Sequence, residues 1–207
     1  MTSVNTYQIP LFPLNVVVCP KGILPLKIFE PRYLDMVSNC LKNKTSFVVV
    51  TALLKSDVQS KAGFEFSNVG TLVNIVDADI TDVGMLTIRC IGQHRVKIDS
   101  FTQQSDGLVI GVVADIPDDL SVNIPEDLIS LSNVLRQLFV SFNSQNLKPN
   151  NLPEAESYQF DDSTWVGNRW IDLLDLPLLQ KLRLMQMDSP ILRLELIQDI
   201  LEANKIV

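Results

Sequence analysis

Residues 9–37 read IPLFPLNVVVCPKGILPLKIFEPRYLDMV, and how this stretch folds decides the architecture of the chain. Four prolines, Pro10, Pro13, Pro20 and Pro25, punctuate short apolar runs. Proline fixes φ and donates no backbone hydrogen bond, so these runs are short extended pieces joined by turns. After Phe29-Glu30 the grammar changes. Pro31 suits the first turn of a helix, and Tyr33, Val37, Cys40 and Leu41 recur at helical spacing. An irregular β segment therefore feeds directly into a short amphipathic helix.

Beyond that helix, residues 46–116 read as β. Ser46 to Leu54 is rich in β-branched residues. Gly70 to Val76, Met85 to Ile91, Arg95 to Phe101 and Leu108 to Ile116 follow at short spacing. Turn signals at Asp82-Val-Gly84, Gly92-Gln-His94 and Asp106-Gly107 separate them. Strands this frequent predict a closed or nearly closed antiparallel barrel. The polar tract 55–68 reads as an excursion between strands. At Pro117 and Pro125 the hydrophobic period turns helical. Leu128, Leu131, Leu135, Leu138, Phe139 and Phe142 share one helix face. A polar linker over 144–162 follows, then helices over 165–174, 178–187 and from Ser189, an N-cap followed by Pro190, to about 204. The expected division is a β subdomain with one short helix, 1–117, and an α-helical subdomain, 118–207.

Composition narrows the function. The chain has 207 residues, 46% of them hydrophobic, enough for one good core or two subdomains. Its net charge of −7 repels phosphate backbones, and no run of lysines or arginines offsets it, so nucleic acid is not an expected partner. The three cysteines, Cys19, Cys40 and Cys90, are far apart in apolar runs and form no Cys-x-x-Cys pair. They read as buried free thiols of a reducing, cytoplasmic compartment. The polar first eight residues are not a signal peptide. No apolar run reaches the roughly 18 residues a membrane helix needs.

Pro10-Leu11-Phe12-Pro13-Leu14, Leu24-Pro25-Leu26 and Phe29-Glu30-Pro31-Arg32-Tyr33 with Met36-Val37 resemble the opening of the LON domain, the N-terminal region of the ATP-dependent protease Lon. Gly70-Thr71-Leu72, Ile75-Val76, Gly84-Met85-Leu86 and Gly92 with Arg95 resemble its strands. Leu182, Met185, Asp188 and Arg193-Leu194 resemble its helical bundle. The resemblance covers nearly the whole chain. It departs from the pattern at Cys19, where phenylalanine is usual, and at Lys21, where glycine is usual. It implies an α+β fold, a PUA-like antiparallel β pseudo-barrel followed by a small α-helical bundle. It further implies a stand-alone domain that recognises polypeptide clients or a partner protein without ATPase or protease activity. The alternative is a PUA-like module for nucleic acid or a small ligand.

The residues themselves carry no catalytic constellation. No Gly-Lys pair exists to build an ATPase phosphate loop, and no Gly-x-Ser-x-Gly elbow is present. His94 is the single histidine, too few for a multi-histidine zinc site, and reads as a surface turn residue. Asp77, Asp79 and Asp82 lack calcium-loop spacing, with Ile88 where a glutamate would fall, and read as solvated turn residues. No cofactor and no metal are expected. Glu30 and Arg32 flank the strand-to-helix junction and read as structural partners there. Candidate substrate-binding residues are Phe29, Arg32, Tyr33, Trp165 and Trp170; for the two tryptophans the competing and favoured reading is that of ordinary core anchors. Arg193 falls near the middle of the apolar arc of the last helix, so its guanidinium must find a carboxylate or carbonyl partner or snorkel past the helix end; the expectation is a substantially buried, paired residue.

Overall fold

The computed structural model describes residues 5–53, 66–82, 84–144, 153 and 157–204. The chain divides into two compact units, Met1–Asp118 and Asp119–Val207.

The first unit contains β1 (Thr6–Leu14), β2 (Ile23–Ile28), α1 (Pro31–Asn43), β3 (Phe47–Ala52), β4 (Phe66–Asp82), β5 (Met85–Gln103) and β6 (Val109–Asp115). The strands form one six-stranded sheet in the order β2-β5-β4-β3-β1-β6, with a further pairing of β5 to β6. Two features overturn the expected PUA-like antiparallel pseudo-barrel. First, the sheet is mixed. β1 and β3 run parallel, Leu11 lying beside Val48 and Leu14 beside Thr51, because β2 and α1 make a crossover between them. Second, the six strands do not all join one closed barrel, although β6 returns to pair with β5. β2 pairs only with β5 among the described residues and ends the sheet at a free edge. The prolines explain part of this irregularity. Pro10 sits where β1 has only β6 beside it, and Pro13 where it has only β3, so neither ring interrupts a two-sided ladder. Leu11 alone belongs to both ladders.

Two strands are longer than the turn signals predict. β5 runs straight through Gly92-Gln93-His94, which is therefore not a hairpin turn. Gly92 is there for close approach instead. A Cβ at this position would collide with the backbone carbonyl of Cys19, and its own N–H and C=O bond to Gly22 and Lys21 at 2.9 and 2.8 Å. β4 begins at Phe66, inside the expected excursion, and continues to Asp82, so Asp77 and Asp79 lie on a strand and not in a turn. A bulge between Ile75 and Asp77 lets the strand continue past a break in register. The remainder of the expected excursion, and most of the expected linker over 144–162, lie outside the described residues.

The core of this unit has two parts. Phe12, Tyr33, Val37, Phe47, Ile88 and Cys90 belong to one cluster, to which α1 contributes. Leu11, Val48, Val50, Val96, Ile98 and Val113 belong to the other. Cys19, Cys40 and Cys90 are buried free thiols. Burial pushes the Cys90 thiol up to about 12, so it stays protonated and inert.

The second unit is helical: a 3-10 turn (Glu126–Leu128), α2 (Ile129–Ser144), α3 (Ser163–Leu173), α4 (Leu178–Gln186) and α5 (Pro190–Ala203). Side chains cap two of these helices. Asp162 accepts from the Trp165 N–H at 2.6 Å, and Ser189 accepts from the Leu192 N–H at 3.3 Å. Trp165 meets the rings of Phe160 and Phe139 with centroids 5.1 and 5.9 Å away, which fills the core around α3. Arg193 is fully buried, as its place on the apolar arc demands. Its guanidinium donates to Asp119 at 2.7 Å, to Leu184 C=O at 3.0 Å, to Asn168 at 3.2 Å and to Met187 C=O. Among the described residues no helix is long and apolar enough to cross a membrane.

Candidate functional site

The strand-to-helix junction that the sequence singles out borders a cleft of about 690 Å³ in the first unit. Its walls come from β1, β2, the start of α1, the end of β5 and the turn before β6. Phe29 stands at its rim with 64% of its surface exposed. This exposure is a consequence of the local grammar. Ile28 is buried as the last residue of β2, and Pro31 opens α1, so the two residues between them turn the chain and point outward. Glu30 holds the helix start with its backbone, its carbonyl accepting from Tyr33 and Leu34 at 3.0 and 2.9 Å.

Arg32 organises the inner wall. Its guanidinium donates to Gly107 C=O at 3.0 Å, pairs with Glu30 at 2.7 Å and lies over the Tyr33 ring, 4.7 Å from the centroid. Gly107 is obligatory opposite Arg32: its φ is +86°, and a Cβ there would lie 2.7 Å from the guanidinium. Tyr33 stacks on Phe12 with centroids 4.0 Å apart. Burial raises its phenol above the ordinary tyrosine value, with Arg32 acting against that shift and Glu30 with it, so the ring stays neutral. One polar group is left over. The Arg32 Nε is buried and has no hydrogen-bond partner. Farther along the cleft, Phe66 and Phe101 face each other at 5.1 Å.

Such a surface can hold apolar side chains against aromatic walls. Among the described residues that line it there is no nucleophile–base pair. Among the described residues no three His, Cys, Asp or Glu side chains gather to hold a metal ion. His94 is on β5, 2.9 Å from Asp115, and belongs to a small polar cluster with Tyr7.

The five candidate residues separate into two groups. Phe29, Arg32 and Tyr33 line the cleft together. Trp165 and Trp170 are each 2% exposed in the core of the helical unit, where the Trp170 indole donates to Leu131 C=O at 3.2 Å. They have the core-anchor role that the sequence left open beside the binding one. Sequence reasoning missed Phe66, Phe101 and Gly107 as cleft residues. They come from strand ends and a turn far apart in the chain, and only the pairing of the sheet brings them to Phe29.

Comparison with known proteins gives the family. Residues 8–203 match the model of the ATP-dependent protease La (LON) substrate-binding domain. The crystal structure of a Lon N-terminal domain protein from Xanthomonas campestris is similar over 93% of this chain and 98% of that chain, with 30% identity and a TM-score of 0.74. The N-terminal domain of the Mycobacterium avium complex Lon protease shares the fold, with 13% identity and a TM-score of 0.62 over 93% and 97% of the two chains. Protein cereblon from Gallus gallus is 26% identical over 111 residues, which are 53% of this chain and 24% of that protein. The match is to the substrate-binding domain and not to an ATPase or protease domain, and the family implies binding of polypeptide clients. The chain belongs to the LON substrate-binding domain family.

Proposed function

We propose that the cleft beside Phe29 is where this domain takes up a polypeptide client, holding an extended apolar segment without processing it. The observation that carries this reading is the exposed Phe29 at the rim of a cleft whose walls include Tyr33, Phe66 and Phe101. Desolvated aromatic anchors carry most of the energy of such contacts. Glu30 already balances the Arg32 charge, so the site does not call for a free carboxylate. The three buried thiols support a cytoplasmic setting.

The test is titration of a reduced, carboxymethylated protein, permanently unfolded, at two salt concentrations, with a structured RNA alongside. Binding should resist moderate salt and fall roughly tenfold for Phe29→Ser, a change on an exposed side chain that leaves folding intact. Binding indifferent to Phe29→Ser, or tighter and steeply salt-dependent RNA binding, overturns the reading.

A further inference from the structure

β4 pairs with β3 only through 66–73. The following stretch, 74–82, is paired with β5 on one side, and no described strand lies on the other. The central part of this outer edge, 76–80, is exposed throughout, with Val76 at 52% and Ile80 at 79%. Folded proteins usually cover, shorten or charge such an edge, because unpaired N–H and C=O groups in a row template another strand.

The side chains along this edge specify what would pair with it. Cross-strand neighbours share a face. Ala78 and Ile80 lie opposite Ile88 and Leu86, which makes one face apolar. Asp77 and Asp79 lie opposite Arg89 and Thr87, which makes the other face acidic at its outer margin. In the pair Asp77–Arg89 the sheet already sets opposite charges across neighbouring strands, and the outer side of the two aspartates offers the same arrangement to a new strand. A second copy of this chain fits the central registers of this edge badly. Antiparallel self-pairing centred on Asp77, Ala78 or Asp79 sets an aspartate opposite an aspartate in every case, and like charges directly opposite are destabilising.

We propose that the outer edge of β4, 76–80, is a second docking site that adds an extended polypeptide strand in which apolar residues alternate with lysine or arginine. The apolar side chains continue the face of Ala78 and Ile80, and the cations meet Asp77 and Asp79. The N–H of Ala78, held by Asp77 Oδ1 at 3.0 Å, is released to the incoming strand once a cation engages that carboxylate.

The probe is the peptide acetyl-Lys-Val-Lys-Val-Lys-Val-amide, with a block peptide of the same composition, acetyl-Lys-Lys-Lys-Val-Val-Val-amide, as control. The alternating peptide should slow amide exchange at 76–80. It should bind roughly tenfold more tightly than the block peptide and lose about the same factor with Asp79→Lys or Ile80→Ser. Phe29→Ser should leave this binding unchanged, which separates the site from the cleft. Equal binding of the two peptides, protection located elsewhere, or indifference to both edge variants overturns the proposal. Concentration-dependent self-association that protects 76–80 overturns the assignment of the occupant.

Discussion

The carboxylate of Asp119 accepts from the Arg193 guanidinium at 2.7 Å across 74 positions of sequence, and both side chains are almost fully buried, at 5% and 1% exposure. Opposite charges withdrawn from water this completely depend on each other. Removing one leaves the other uncompensated. Gly167 makes the room, since a Cβ there would sit 3.2 Å from the Arg193 side chain.

Arg193→Ala should therefore lower stability by about 3–5 kcal/mol, read from the shift of a urea unfolding midpoint. Asp119→Asn should be milder, because Asn168, Leu184 and Met187 still accept from the guanidinium. An Arg193→Ala midpoint coincident with wild type would refute the assignment of the pair as a core element.

Lys21 adopts φ +61° in the turn between β1 and β2. The turn keeps the shape that a glycine here would allow, with Gly22 N–H bonded to Cys19 C=O at 3.0 Å. A left-handed non-glycine residue carries strain of order 1 kcal/mol. Lys21→Gly should raise stability by at most about 0.6 kcal/mol in thermal unfolding, once the extra freedom of glycine in the unfolded chain is subtracted. A loss of stability would show that the lysine side chain does more than tolerate the turn.

Gly92→Ala should act in the opposite sense. The new methyl meets the rigid Cys19 carbonyl and not a side chain that could move away. Overpacking of this kind costs about 1–3 kcal/mol, and the Lys21–Gly92–Gly22 backbone bonds should lose amide protection in hydrogen exchange. Unchanged protection would mean that the strand shifts without strain.

Tyr7 donates to Asp115 at 2.6 Å, and His94 approaches the same oxygen at 2.9 Å. The Tyr7 hydrogen bond, aided by His94, holds the Asp115 carboxyl below its ordinary value. Its contribution is present above the unfolded aspartate value and is lost as pH falls through the folded one. Burial first, then the bond to Asp115, raises the Tyr7 phenol. That contribution is present below the unfolded tyrosine value near 10 and is lost as pH rises toward the folded one. Tyr7→Phe should flatten both limbs of the stability–pH curve, while the wild-type phenol should resist ionisation in an absorbance titration. Tyr7 ionising at the ordinary tyrosine value near 10 would contradict the geometry.

Much of this architecture is written in local residue patterns. Pro31 at the start of α1, the Ser189 cap before Pro190, the positive φ of Gly84 and Gly107 and the burial of Arg193 each follow from a residue and its immediate neighbours. What fails to follow is what depends on partners distant in sequence. Gly92 reads as a turn because a glycine kept for close approach to Cys19 looks the same as one kept for a turn. The parallel pairing of β1 with β3 has no local signature, so a run of short strands reads as an antiparallel barrel. The cleft is half legible for the same reason: Phe29, Arg32 and Tyr33 are contiguous, whereas Phe66 and Phe101 arrive through sheet register.

The prolines of β1 have a consequence during synthesis. Leu11 takes Val109 as its antiparallel partner, so the first strand leaves the ribosome long before the last one exists to cover it. An apolar strand kept waiting is a nucleus for aggregation, and slow non-local pairing prolongs the wait. Pro10 and Pro13 interrupt the row of N–H donors that stacking between nascent chains would require. The same rings that the finished sheet accommodates on one-sided stretches of β1 thus guard the unfinished chain against its neighbours.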